Sequence, residues 1–157
     1  MKILVAEDDP SFRRLLQEKL GRWGFEVIVV ADGTEALQIL QAEGAPCIAL
    51  LDWMMPGMEG VEVCRKLREK PGQPYTYIIL LTSQQRDEDL AIGMEVGADD
   101  YITKPFKNNE LRLRLRAGRR IVELQQELIE AFRTLAPADT LPHPWQHAGI
   151  LRILAKE

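Results

Sequence analysis

Four short stretches of this chain each run into a residue that can do chemistry. Residues 2–6 are Lys2-Ile3-Leu4-Val5-Ala6 and stop at Glu7-Asp8-Asp9, and the run over 47–51 stops at Asp52. The run over 77–81 stops at Thr82-Ser83, and Tyr101-Ile102-Thr103 leads into Lys104-Pro105-Phe106. Apolar runs of this length without alternation read as strands buried on both faces, the kind found in parallel α/β sheets. Ligand sites of open α/β sheets lie at the carboxyl ends of the strands. The sequence therefore offers acids, a hydroxyl and an ammonium for one edge. Three successive carboxylates repel one another unless a cation or a helix N-terminus shares the load. Asp9 precedes Pro10 and suits the N-cap of a helix that begins there. That leaves Glu7 and Asp8 as a hard-oxygen pair suited to Mg²⁺. Lys104 is then a counter-charge for a phosphoryl group.

The elements that must position these residues alternate. Strands are expected near 2–6, 25–30, 47–51, 77–81 and 100–102, and helices near 10–21, 34–43, 60–69, 87–96 and from 108 onward. Gly21, Gly24, Gly44, Gly72 and Gly97 punctuate the helix ends and turns. Five such units with right-handed crossovers predict an α/β domain, a doubly wound five-stranded parallel sheet covered on both sides.

Residues 1–120 resemble the receiver domain of two-component response regulators. The resemblance rests on the acidic pair Glu7 and Asp8, on Asp52, on Thr82, on Lys104, on the aromatic Tyr101 and on the Met-Pro-Gly-Met-x-Gly turn at 55–60. It implies a flavodoxin-like strand order 2-1-3-4-5, with Asp52 as phosphoacceptor and Thr82 and Lys104 as its catalytic neighbours. Tyr101 becomes the switch residue. Mg²⁺ is implied as cofactor, held by Asp8 and Asp52 directly, by the backbone carbonyl of Met54, and by Glu7 through water. The implied partner is a histidine kinase or a phosphotransfer protein. The implied catalysis is limited to the domain's own phosphorylation and dephosphorylation, with the side chains of Met54 and Gln84 flanking the path of the hydrolytic water.

The expected last helix outruns such a domain. Over residues 108–135 there is no Pro, and one apolar stripe, Ala117, Ile121, Leu124, Leu128, Ala131 and Leu135, alternates spacings of four and three. That is a coiled-coil seam, which predicts a parallel homodimer through this helix; folding back on its own domain is the alternative. A second stripe runs through Leu111, Leu115, Gly118, Val122, Ile129 and Phe132. The arginines at 112, 114, 116, 119 and 120 read as a solvated face or as ion-pair donors between subunits. Residues 136–157 read as a breaker-rich loop and a short amphipathic helix, with Asp139 and Leu141 resembling the opening of a GGDEF diguanylate cyclase domain.

Two function classes follow: a phosphorylation-controlled module whose output is dimerisation or partner docking, and the regulatory receiver of a cyclase whose catalytic part is absent. A DNA-binding regulator is set aside, because the 37 residues after Arg120 do not hold a helix-turn-helix domain. A net charge of −4 predicts neither nucleic-acid nor membrane partners. Cys47 and Cys64 lack framework spacing and suggest reduced thiols. With no apolar run near the ~18 residues of a membrane span, the expectation is a cytoplasmic protein.

Overall fold

A computed structural model describes residues 1–70, 74–83 and 87–135. The strands are β1 (Lys2–Ala6), β2 (Glu26–Val30), β3 (Ile48–Asp52), β4 (Tyr77–Thr82) and β5 (Asp100–Thr103). The helices are α1 (Pro10–Arg22), α2 (Gly33–Gln41), α3 (Gly60–Glu69), α4 (Asp87–Glu95) and α5 (Asn108–Leu135). All strand pairs are parallel and the order is β2-β1-β3-β4-β5. Both the doubly wound class and the expected order are therefore what the chain adopts.

Alternate residues of a strand point to opposite faces, and the two cores follow that parity. Ile3, Val5, Ile48, Leu50, Ile79, Leu81 and Ile102 pack with Leu16 and Leu20 of α1 and with Leu111, Leu115 and Val122 of α5. Leu4, Ala6, Ala49, Leu51, Ile78 and Leu80 pack with Ala36 and Leu40 of α2 and with Val63, Cys64 and Leu67 of α3. Each large apolar side chain so buried contributes roughly 1.5–3 kcal/mol.

Local signals set the helix ends. The Asp9 carboxylate accepts from the backbone N–H groups of Ser11 and Phe12, with Pro10 opening α1, as the sequence implied. Gly21 lies inside α1 rather than at its end, and the chain turns at Gly24, where φ is +92°. The second of the two apolar stripes is the one α5 buries, through Leu111, Leu115, Gly118 and Val122. Gly118 is needed at that crossing: a Cβ there would lie 2.6 Å from the Tyr77 ring. No described helix is long and apolar enough to cross a membrane.

Candidate functional site

β1 and β3 are neighbours, with Ala6 opposite Leu51, so Glu7 and Asp52 stand side by side where the sheet ends. This is the switch point of the strand order, with β2 on one side and β4 and β5 on the other. Parity aims the first group of residues. Glu7 continues the Ile3–Val5 face, Asp52 the Ile48–Leu50 face, and Lys104 the Ile102 face, all towards α1 and α5. There the Lys104 ammonium donates to Glu7 Oε2 at 2.9 Å and lies 3.3 Å from Asp52 Oδ1. It also sits 4.7 Å from the centroid of the Phe12 ring, which in turn meets Phe106 edge-on.

Backbone bonds hold the loops that carry these groups. Glu7 N–H donates to Val30 O at 3.1 Å, and Arg13 Nη1 donates to Glu7 O at 2.9 Å. Trp53 N–H donates to Leu81 O at 2.8 Å, and Lys104 N–H to Thr82 O at 2.7 Å. The Asp52 and Lys104 loops are thereby both strapped to the end of β4.

One carboxylate oxygen each of Glu7, Asp8 and Asp52 lies within 4.8 Å of the other two, with Glu7 and Asp52 buried and Asp8 exposed. The cluster sets three carboxyl groups against the single ammonium of Lys104. Burial, aided by the Asp52 charge, pushes the Glu7 carboxyl up to about 7 against the pull of Lys104. An all-oxygen donor set with excess negative charge fits Mg²⁺, a hard cation of oxygen ligands. Met54 occupies the bend after β3 with its side chain exposed.

Thr82 and Tyr101 share the other face. Thr82 follows the parity of Ile78 and Leu80 and is fully buried, while Tyr101 pairs with Leu80 and packs half-buried against the α2/α3 core. The acid–lysine group and the hydroxyl–aromatic pair thus flank the ends of β3 and β4 from opposite sides. Gln84 and the Asp139–Leu141 segment, named from sequence, lie outside the described residues.

One network was not anticipated. Arg68 donates to Gly97 O at 3.0 Å and pairs with Asp99 at 3.0 Å, and Asp99 accepts from Ile78 N–H at 2.7 Å and from the Tyr75 hydroxyl. Its members come from three separated segments, and nothing in their spacing foretells the meeting.

Comparison with known proteins places residues 3–116 within the family described as the response regulator receiver domain. The chain is 46% identical over 116 residues to the DNA-binding response regulator MtrA of Mycolicibacterium smegmatis, covering 74% of this chain and 49% of that protein. It is likewise 46% identical to the probable transcriptional regulator ycf27 of Cyanophora paradoxa, covering 74% and 47%. Among solved structures it is similar to the BeF3-activated N-terminal receiver domain of Klebsiella pneumoniae RstA, with TM-score 0.67 and 37% identity over 75% of this chain and 97% of that one. The chain spans about half the length of the named regulators it matches.

Those names correct one expectation. Net charge and the residues following Arg120 predict no nucleic-acid partner, yet the relatives are named as DNA-binding and probable transcriptional regulators. The physical reason is plain: about half of each relative lies beyond the match, and the charge of a receiver says nothing of a module joined to it. Neither of these two relatives is named as a cyclase.

Proposed function

The chain belongs to the response regulator receiver family, and on that premise we propose that Asp52 accepts a phosphoryl group from a phosphohistidine donor and that the change is read out at α4, β5 and α5. The observation that carries this is the Lys104 bridge, which holds one ammonium against both Glu7 and Asp52 at the carboxyl edge of β3. An Asp52 oxygen attacks phosphorus in line: the new P–O bond forms as the donor P–N bond breaks. The imidazole nitrogen keeps the electron pair. Lys104 exchanges its carboxylate partners for a phosphoryl oxygen and stabilises the charge that develops there. Asp8 and Asp52, with the Met54 carbonyl and with Glu7 acting through water, would hold Mg²⁺. When bound, the ion neutralises the acid cluster and polarises the phosphoryl oxygens.

Phosphorylation adds charge and strong acceptor oxygens at the sheet edge. The Thr82 hydroxyl donates towards them, and Tyr101, on the same face, takes up the space that Thr82 leaves. Ile92, Met94 and Leu113 already expose apolar surface on the two helices that flank β5. Water later cleaves the acyl phosphate and resets Asp52, so this is a signalling protein acting catalytically on itself alone.

Output runs through α5. Ile121, Leu124, Leu128 and Leu135 are 40%, 54%, 38% and 85% exposed, while α5 is buried on the receiver only as far as Val122. The four–three spacing of this uncovered stripe suits a second copy of the chain laid alongside it. Pairing of two copies would present joined DNA-binding segments to two half-sites, in keeping with the names of the relatives.

The test is labelling by acetyl phosphate with and without Mg²⁺. One phosphoryl group per chain is expected, dependent on Mg²⁺ and lost in Asp52→Asn, whose amide is not a competent nucleophile. Full labelling of Asp52→Asn would refute the reading.

A further inference from the structure

Among the described residues, the polar ties between α4 and the body gather past its C-terminus. Past its C-terminus the Cys64 thiol points at Val96 O at 3.7 Å, Arg68 donates to Gly97 O, and Asp99 is locked to Arg68 and to the Ile78 N–H. Among the described residues, no hydrogen bond or ion pair ties residues 87–92 to the sheet. Of the α4 residues only Gly93 is buried, and its surroundings are specific. A Cβ at Gly93 would lie 3.0 Å from Leu80 Cδ1 and 3.1 Å from Cζ3 of Trp53. Gly93 therefore rests directly on the ring of the residue that follows Asp52.

That ring is itself well placed to move with Asp52. Trp53 is buried, its N–H is bound to Leu81 O at 2.8 Å, and its carbonyl accepts from Gly60 N–H at 3.0 Å. Trp53 shares a peptide with Asp52, so a displacement of that peptide carries the ring with it, and the ring meets α4.

We infer that α4 is a lever, pivoted on the Arg68–Asp99 network and seated at Gly93 on Trp53, and that Trp53 is the positioning residue that passes a change at Asp52 to the helix. This rests on the reading of Asp52 as phosphoacceptor and adds a path beside Thr82 and Tyr101. The geometry amplifies. At a rise of 1.5 Å per residue, Gly93 stands about 4.5 Å from the pivot at Val96 and Asp87 about 13.5 Å. By that ratio, a shift of a few tenths of an ångström at the seat corresponds to about 1 Å at Asp87.

The experiment is backbone hydrogen exchange over residues 87–92 of the full chain, before and after labelling with acetyl phosphate and Mg²⁺. Wild type and Trp53→Ala are compared at matched labelled fraction. Labelling is expected to change exchange over 87–92 in wild type, and to change it at least threefold less in Trp53→Ala. No change in wild type, or a wild-type change in Trp53→Ala, overturns the proposal. Gly93→Ala supplies the second measurement, in unlabelled protein. The added methyl should speed exchange over 87–92 at least threefold and leave 96–99 unaltered, and equal rates in wild type and variant overturn the lever. Failure of wild type to take up label, with Gly93→Ala behaving as expected, sinks the phosphoacceptor reading and spares the lever.

Discussion

Glu7→Gln in metal-free protein should abolish a defined part of the pH dependence of stability. The Glu7 carboxyl titrates near 4.5 when unfolded and, buried beside Asp52, at about 7 when folded. A folded-state value above the unfolded one means that the native protein binds the proton more tightly. The stabilisation is fully present below pH 4.5 and is lost as pH rises through 7. At 1.36 kcal/mol per unit, the whole gap is worth about 3 kcal/mol, of which about 2–3 kcal/mol falls between pH 5 and pH 8. For a chain of this size that is about 5–10 °C in Tm. Because other carboxylates titrate in the same range, the quantity to measure is the difference between wild type and Glu7→Gln. Urea unfolding of both in EDTA, at pH 5 and at pH 8, gives it. Gln keeps an acceptor for Lys104 but does not ionise, so the variant should gain on wild type as pH rises. A difference that does not change with pH would refute the electrostatic account of this cluster.

Gly118→Ala sets a gain of about 1 kcal/mol in helix propensity against overpacking of roughly 1–3 kcal/mol where the new Cβ meets the buried Tyr77 ring. It should lower Tm, whereas Gly21→Ala, with nothing within 4 Å of the added Cβ, should not. Mg²⁺ affinity, followed by tryptophan emission with Trp53 beside the site, should fall more in Asp8→Ala than in Glu7→Ala. Equal losses would contradict the split between a direct ligand and one acting through water. Sedimentation of the phosphorylated protein at tens of micromolar (about 10–50 µM) should show a dimer that Leu124→Glu/Leu128→Glu makes monomeric, since each of these leucines offers roughly 1.5–3 kcal/mol on burial. A monomeric wild type in both states would remove the α5 seam from the account.

Much of the architecture was legible because parallel strands buried on both faces leave unbroken apolar runs, as residues 48–51 and 77–81 do. The edges were less so. β3 begins at Ile48 and extends to Asp52, because Asp52 still pairs with Leu81, and a polar residue at a strand end carries no periodic signal. α2 stops at Gln41 rather than 43, ahead of the turn at Gly44, where φ is +74°. Of the site, Glu7, Asp52 and Lys104 could be named because each stands at the carboxyl end of its own strand. That the lysine bridges both acids follows only from parity across three strands. Arg68, Tyr75 and Asp99 could not be named, since each alone reads as a surface polar residue. The resting of Gly93 on Trp53 was equally hidden, because a glycine inside a helix announces a close approach without naming its partner.

The central claim is that Asp52 carries the phosphoryl group, and the direct measurement is to trap and locate it. Borohydride converts an aspartyl phosphate to homoserine, so the labelled protein can be reduced, digested and read residue by residue. The account predicts homoserine at position 52 alone, only when Mg²⁺ and the phosphodonor are both present. Homoserine at Asp8 or Asp9, with Asp52 intact, would contradict it.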